Sequence, residues 1–210
     1  MKQIISIFAL LAVLSANVFA QEEEAGTSKA MDMRFGIRAG TNWSSMSLRY
    51  SGYNTVWGFN SILGFQVGGA AEIPISQVFL GKKDFYIGAN PAVMFISKGG
   101  DYGLFGIGGE INTYYLEVPV PVSFGTYFGK SQNFGVRAEL GPYFAIGLFG
   151  SGDGLFEDVK PFDELSRFDA GLTYGVAIQF VGDFYFGMHN SIGFTDDDIS
   201  TFALTFGYKF

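Results

Sequence analysis

Residues 201–210 constrain the fold more tightly than any other stretch of the chain. Phe202, Leu204, Phe206, Tyr208 and Phe210 fall on one face of an extended segment, and Thr201, Ala203, Thr205, Gly207 and Lys209 on the other. That period of two is the signature of a β-strand. The division recurs upstream, where Phe168, Ala170, Leu172, Tyr174, Val176, Ile178 and Phe180 oppose Asp169, Gly171, Thr173, Gly175, Ala177 and Gln179. It recurs again where Phe184, Phe186, Met188, Ile192 and Phe194 oppose Tyr185, Gly187, His189, Ser191 and Gly193. A soluble barrel turns its bulky apolar face inward. Here the second face is small, glycine-rich and charged, so the pattern predicts side chains facing lipid outside and a tight polar lumen inside.

Eight such segments can be read, at 33–43, 63–73, 85–97, 114–128, 134–148, 168–180, 184–194 and 201–210. About ten residues per strand suits a tilted membrane crossing, and closing the sheet satisfies backbone groups that lipid cannot. The expected fold is therefore all-β: an antiparallel up-and-down transmembrane barrel of about eight strands. The 30 Gly, 24 Phe and 11 Tyr suit a curved sheet better than a helical bundle. With no cysteine in the chain, neither disulfides nor thiolate chemistry can contribute. A net charge of −7 without a basic patch argues against nucleic acid as a partner.

Ahead of the barrel, Met1-Lys2, an apolar run over 4–14 and Val18-Phe19-Ala20 read as a cleavable signal peptide, with Gln21 as the mature start. The expected organisation is a signal at 1–20, a short periplasmic segment at 21–32 and the barrel at 33–210. The connections at 44–62, 98–113 and 149–167 are long, whereas 129–133 and 181–183 are tight turns. Long loops face outward in bacterial barrels, so both termini are expected in the periplasm and the protein in the outer membrane. Phe35, Phe85, Phe128, Phe134, Phe180, Phe184 and Phe210 would form one aromatic girdle. Trp43, Phe95, Tyr114, Phe168, Phe194 and Phe202 would form the other.

Five elements together resemble the PorT-like outer-membrane β-barrel family: Lys98-Gly99-Gly100, Tyr115-Leu116-Glu117-Val118-Pro119-Val120, Gly141-Pro142-Tyr143, Phe168-Asp169-Ala170-Gly171 and Phe206-Gly207-Tyr208-Lys209-Phe210. The resemblance implies an outer-membrane barrel with a link to protein secretion or envelope assembly. Tyr208 and Phe210 also resemble the terminal signal read by the outer-membrane assembly machinery, which would be a partner during biogenesis beside outer-membrane lipid. Pro91, Pro119, Pro121 and Pro142 lie inside assigned strands, where proline cannot donate to the ladder. The expectation is that β-bulges accommodate them.

Alternation points Arg38, Glu72, Lys98, Glu117, Arg137, Glu139, Asp169, His189 and Lys209 inward. Four formal positive and four formal negative charges can pair into a plug or form a gated ion or proton path. The narrow bore favours the packed core, with Glu117 expected to pair with Arg137. His189 and Ser191 share a strand face, but no oxyanion donor or cleft accompanies them, so a membrane hydrolase is the weakest reading and no catalytic residue is assigned. No cofactor and no metal site is expected. Asp196–Asp198, Asp153, Glu157, Asp158, Asp163 and Glu164 lack the spacing of a calcium loop and read as solvated charge, with divalent-cation binding the alternative. The glycine-rich run 103–109 reads as a flexible loop. Trp57, Phe59, Phe105, Phe156 and Phe162, with Leu104, Ile107, Leu155 and Leu165, are expected above the membrane as contacts for envelope or secretion proteins. The expected function is that of a non-enzymatic structural, binding or assembly barrel acting through its outer loops. The alternative is a narrow small-solute channel.

Overall fold

A computed structural model describes residues 33–49, 56–58, 60–80, 83–104, 107–128, 134–154, 160–180, 183–195 and 199–210. Its strands are β1 (Arg34–Ser45), β2 (Ser47–Arg49), β3 (Val56–Gly58), β4 (Ile62–Leu80), β5 (Lys83–Ala89), β6 (Ala92–Leu104), β7 (Ile107–Pro119), β8 (Val122–Phe128), β9 (Phe134–Gly154), β10 (Phe168–Phe180), β11 (Phe184–Gly193) and β12 (Ser200–Lys209). One short helix, α1 (Pro161–Glu164), sits between β9 and β10. All pairings are antiparallel, and β1 bonds both β12 and β4, which closes the sheet into a ring. The pairs β5–β6 and β7–β8 are each one stave interrupted at a proline, so the ring has the eight staves expected from the alternation.

The interruptions are not bulges. The register is the same on both sides of each: Ala70↔Ala92 and Ile73↔Ala89, Met94↔Glu117 and Ala89↔Val122, Pro119↔Tyr143 and Val122↔Leu140. Pro91, Pro121 and Pro142 drop only the ladder bond that their missing N–H would make. Their carbonyls still accept, from Ala71 N at 2.8 Å, Asn90 N at 2.8 Å and Val120 N at 2.9 Å. Register shifts instead fall between Pro74 and Ser76, where Ile75 is the extra residue, and beside Tyr114/Tyr115, where Leu148 is the extra residue on β9. Each bulge breaks the period of two, and the strands run past the expected ends at Ile73 and Leu148 to Leu80 and Gly154.

Two expected loops also contain sheet. The run 98–113 is largely a β6–β7 hairpin reaching Leu104↔Ile107, with β9 alongside, and 44–62 contains the β2–β3 hairpin. Glycine has low strand propensity, so Gly99, Gly100, Gly108 and Gly109 hide pairing that comes from neighbouring backbones rather than from side-chain pattern. In this extension Asp101 lies opposite Glu110, and Glu110 opposite Asp153. Like charges directly opposite repel. Glu110→Lys is therefore expected to stabilise the protein by about 0.5 kcal/mol, read as a raised urea midpoint in micelles.

The outer wall is largely apolar, with Phe35, Ile37, Val67, Leu140, Val176 and Phe206 among its exposed side chains. Rings pack beside one another at the end that carries Arg34 and Phe210, in the pairs Phe128–Phe134 (5.8 Å) and Phe184–Tyr208 (4.9 Å). At the opposite, loop end they do so in Trp43–Phe202 (5.8 Å) and Tyr114–Phe149 (4.7 Å).

Candidate functional site: the lumen and its cap

The inward face is laid out by register. A row of paired residues runs from Asp169 through Ala145, Glu117, Met94, Gly68, Arg38, Gly207 and Tyr185 to Gln179, back on the starting strand ten residues along. The row winds once around the wall while stepping from the loop end to the terminal end. It therefore places Glu117 and Asp169 high, Arg38 in the middle, and Tyr185 and Gln179 low. In so narrow a barrel side chains fill the bore.

Two charge centres result. In the upper one the Lys98 ammonium, 1% exposed, lies 2.7 Å from Glu117 and 3.2 Å from Asp169. Tyr143 donates its hydroxyl to Asp169 at 3.0 Å and Thr195 donates to the other carboxylate oxygen at 3.1 Å. The ammonium also faces the rings of Tyr143 and Tyr115, at 4.7 and 5.3 Å. In the lower centre Arg137 Nε donates to Glu139 at 2.6 Å, and its Nη1 is 3.6 Å from Glu72. Asn90 donates to Glu139 at 3.1 Å, His189 Nε2 meets its second oxygen at 2.8 Å, and Lys209 bonds Glu72 and donates to Gln179 at 2.9 Å.

The expected Glu117–Arg137 pair does not form. On the β9 side Glu117 lies opposite Ala145, whereas Arg137 lies opposite Gly125 of β8. The two are eight residues apart along β9, in different centres. Arg38 has no carboxylate within ion-pair distance among the described residues, and its Nε donates to Met94 Sδ at 3.1 Å. Both His189 nitrogens are engaged, Nδ1 with Thr205 at 3.4 Å, so the imidazole serves Glu139 rather than Ser191.

Between the centres is a cavity of about 30 Å³, lined by Arg38, Glu117, Glu139, His189, Thr173 and Thr201 among others. That is space for about two waters. At the loop end the bore is capped by Met46, Ile111, Tyr115, Leu165 and Ile199, packed as one buried apolar cluster. Phe162 of α1 packs edge-on to Tyr115 at 5.6 Å and lies under the Arg167 guanidinium at 4.9 Å. Phe162 and Leu165, expected to stand outward, are thus part of the cap: Leu165 is buried in the apolar cluster, and the single helical turn lays the Phe162 ring over Gly147. Phe59, Phe105, Leu155 and Phe156 lie outside the described residues. Trp57, Leu104 and Ile107 are placed as strand residues only.

The alternation singled out the charged lumen residues but not the interior tyrosines Tyr86, Tyr115 and Tyr143, which are buried among them. The available signal was parity: Tyr115 shares a face with Glu117, and Tyr143 with Glu139. The Tyr86 and Tyr143 rings each lie over a glycine of a neighbouring stave. A Cβ on Gly125 would be 2.8 Å from the Tyr86 ring and from Arg137 Cβ, and one on Gly171 would be 2.7 Å from the Tyr143 ring.

A closed antiparallel ring with an apolar outer wall, aromatic bands at both ends and a charged, filled bore defines a transmembrane β-barrel. Residues 19–197 match the family described as outer membrane protein beta-barrel domain, and the chain belongs to it. The protein is an outer-membrane protein. Among solved structures the chain is similar to the attachment invasion locus protein Ail of Yersinia pestis, at 14% identity over 86% of this chain and 100% of that one, with a TM-score of 0.38. Ail in complex with the heparin analogue sucrose octasulfate gives 16% identity, the same coverage and a TM-score of 0.42. The transport unit of the autotransporter AIDA-I from Escherichia coli gives 11% identity over 94% and 97% of the two chains, with a TM-score of 0.23. No curated protein matches the chain.

Proposed function

We propose that this protein is a non-enzymatic, non-conducting outer-membrane anchor that holds a binding or assembly surface at its loop end. The observation that carries this reading is the filled bore. Two ion-paired centres and an apolar cap occupy the space that a channel would keep open. Buried pairs of this kind support a rigid scaffold, since each carboxylate needs its cation in place. On this reading both termini are periplasmic and the β2–β3 hairpin, the β6–β7–β9 extension and the segment after β9 face outward. Tyr208 and Phe210 serve recognition by the assembly machinery. The PorT-like resemblance of the 115–120 element supports the narrower form, in which the partner is an envelope or secretion protein.

The test is co-purification of the tagged protein from isolated outer membranes in mild detergent. A stoichiometric envelope protein is expected, lost when residues 50–55 and 155–159 are exchanged for Gly-Ser sequence while the heat-dependent gel shift of the folded barrel stays intact. A solitary barrel, or a partner indifferent to the exchange, would overturn the reading.

A further inference from the structure

The lipid-facing wall carries a polar pair at mid-depth. Tyr174 lies six residues from each end of β10, midway between the girdle rings Phe168 and Phe180, and is 41% exposed on the outer face. Asn190 is directly opposite it on β11, on the same face, between Met188 and Ile192. Their surroundings are Leu172, Val176, Met188, Ile192 and Phe202. Among the described residues neither the phenol nor the carboxamide has a hydrogen-bond partner. Tyrosine belongs at membrane interfaces, where its hydroxyl is wet. Along β10 the girdle rings Phe168 and Phe180 are each roughly 15 Å away on the membrane normal, farther than the side chain reaches. A carboxamide left unpaired in hydrocarbon is more costly still.

We infer that Tyr174 and Asn190 form the centre of an interface with a second copy of this chain. The pair is self-complementary. A two-fold axis along the membrane normal, passing between β10 and β11, sets Tyr174 of one copy against Asn190 of the other and Asn190 against Tyr174. The phenol donates one hydrogen bond and accepts another, and the carboxamide does the same, so both copies are satisfied by the same contact. Lipid acyl chains offer neither donor nor acceptor at this depth. Leu172, Val176 and Ile192 supply the apolar packing around the pair.

Because the chain has no cysteine, one introduced thiol reports the contact without background. In vesicles of outer-membrane lipid, oxidised Ile192→Cys is expected to give a disulfide-linked dimer, and Val67→Cys, on the wall formed by β4, is not. Adding Tyr174→Phe and Asn190→Leu to Ile192→Cys should lower the cross-linked fraction at least tenfold. Both changes remove polar groups from lipid, so the barrel should keep its heat-dependent gel shift. Equal cross-linking from the two walls, or no effect of the double substitution, would overturn the inference. So would a monomer at all protein-to-lipid ratios by single-molecule photobleaching.

Discussion

Lys98→Met is expected to destabilise the barrel by about 3–5 kcal/mol, the cost of leaving a buried charge without its counter-ion. The substitution keeps the length of the side chain but leaves Glu117 and Asp169 facing each other, both buried, with no cation between them. Urea unfolding in micelles, followed by the mobility of unheated samples, measures the loss. Lys98→Met combined with Glu117→Gln and Asp169→Asn should recover most of it, because a neutral hydrogen-bonded set replaces two stranded carboxylates. Arg137→Met should cost less than Lys98→Met. Glu139 keeps His189 and Asn90, and Glu72 keeps Lys209. Equal losses for the two cations, or a loss under about 1 kcal/mol for Lys98→Met, would contradict the assignment of the upper centre.

Gly125→Leu, a small-to-large change in the bore, should cost about 1–3 kcal/mol or more. The new side chain begins in the space held by the Tyr86 ring and the Arg137 stem. Tyr86 stacks on Tyr127 at 5.0 Å, so displacing it also disturbs a second ring. Pairing Gly125→Leu with Tyr86→Ala should restore much of the stability, a coupling that a purely conformational role for the glycine would not give. Refolding yield into micelles for the single and double variants reads the difference.

How much was legible in the sequence depended on where the period of two survived. It survived along β10, β11 and β12, and there the lipid and lumen faces were read residue by residue. It failed at Ile75 and Leu148, where one inserted residue reverses the parity, so β4 and β9 were cut short. It was also invisible across Gly99–Gly109, where pairing is made by backbones with few side chains to show a face. Inwardness of the charges followed from parity alone. Which charge meets which did not, because partners are fixed by inter-strand register, and the register separates Glu117 from Arg137 by eight residues along β9. The prolines misled in the opposite sense. They look like defects in a strand, yet the ladder loses bonds at them and keeps its register.

The closed bore is tested most directly by single-channel recording of the refolded native protein in a planar lipid bilayer. A bilayer that stays silent under applied voltage, with folded protein verified in it, is the predicted result. Steady current steps whose size changes in Glu117→Gln or Arg137→Met would contradict it and make the two charge centres a conduction path.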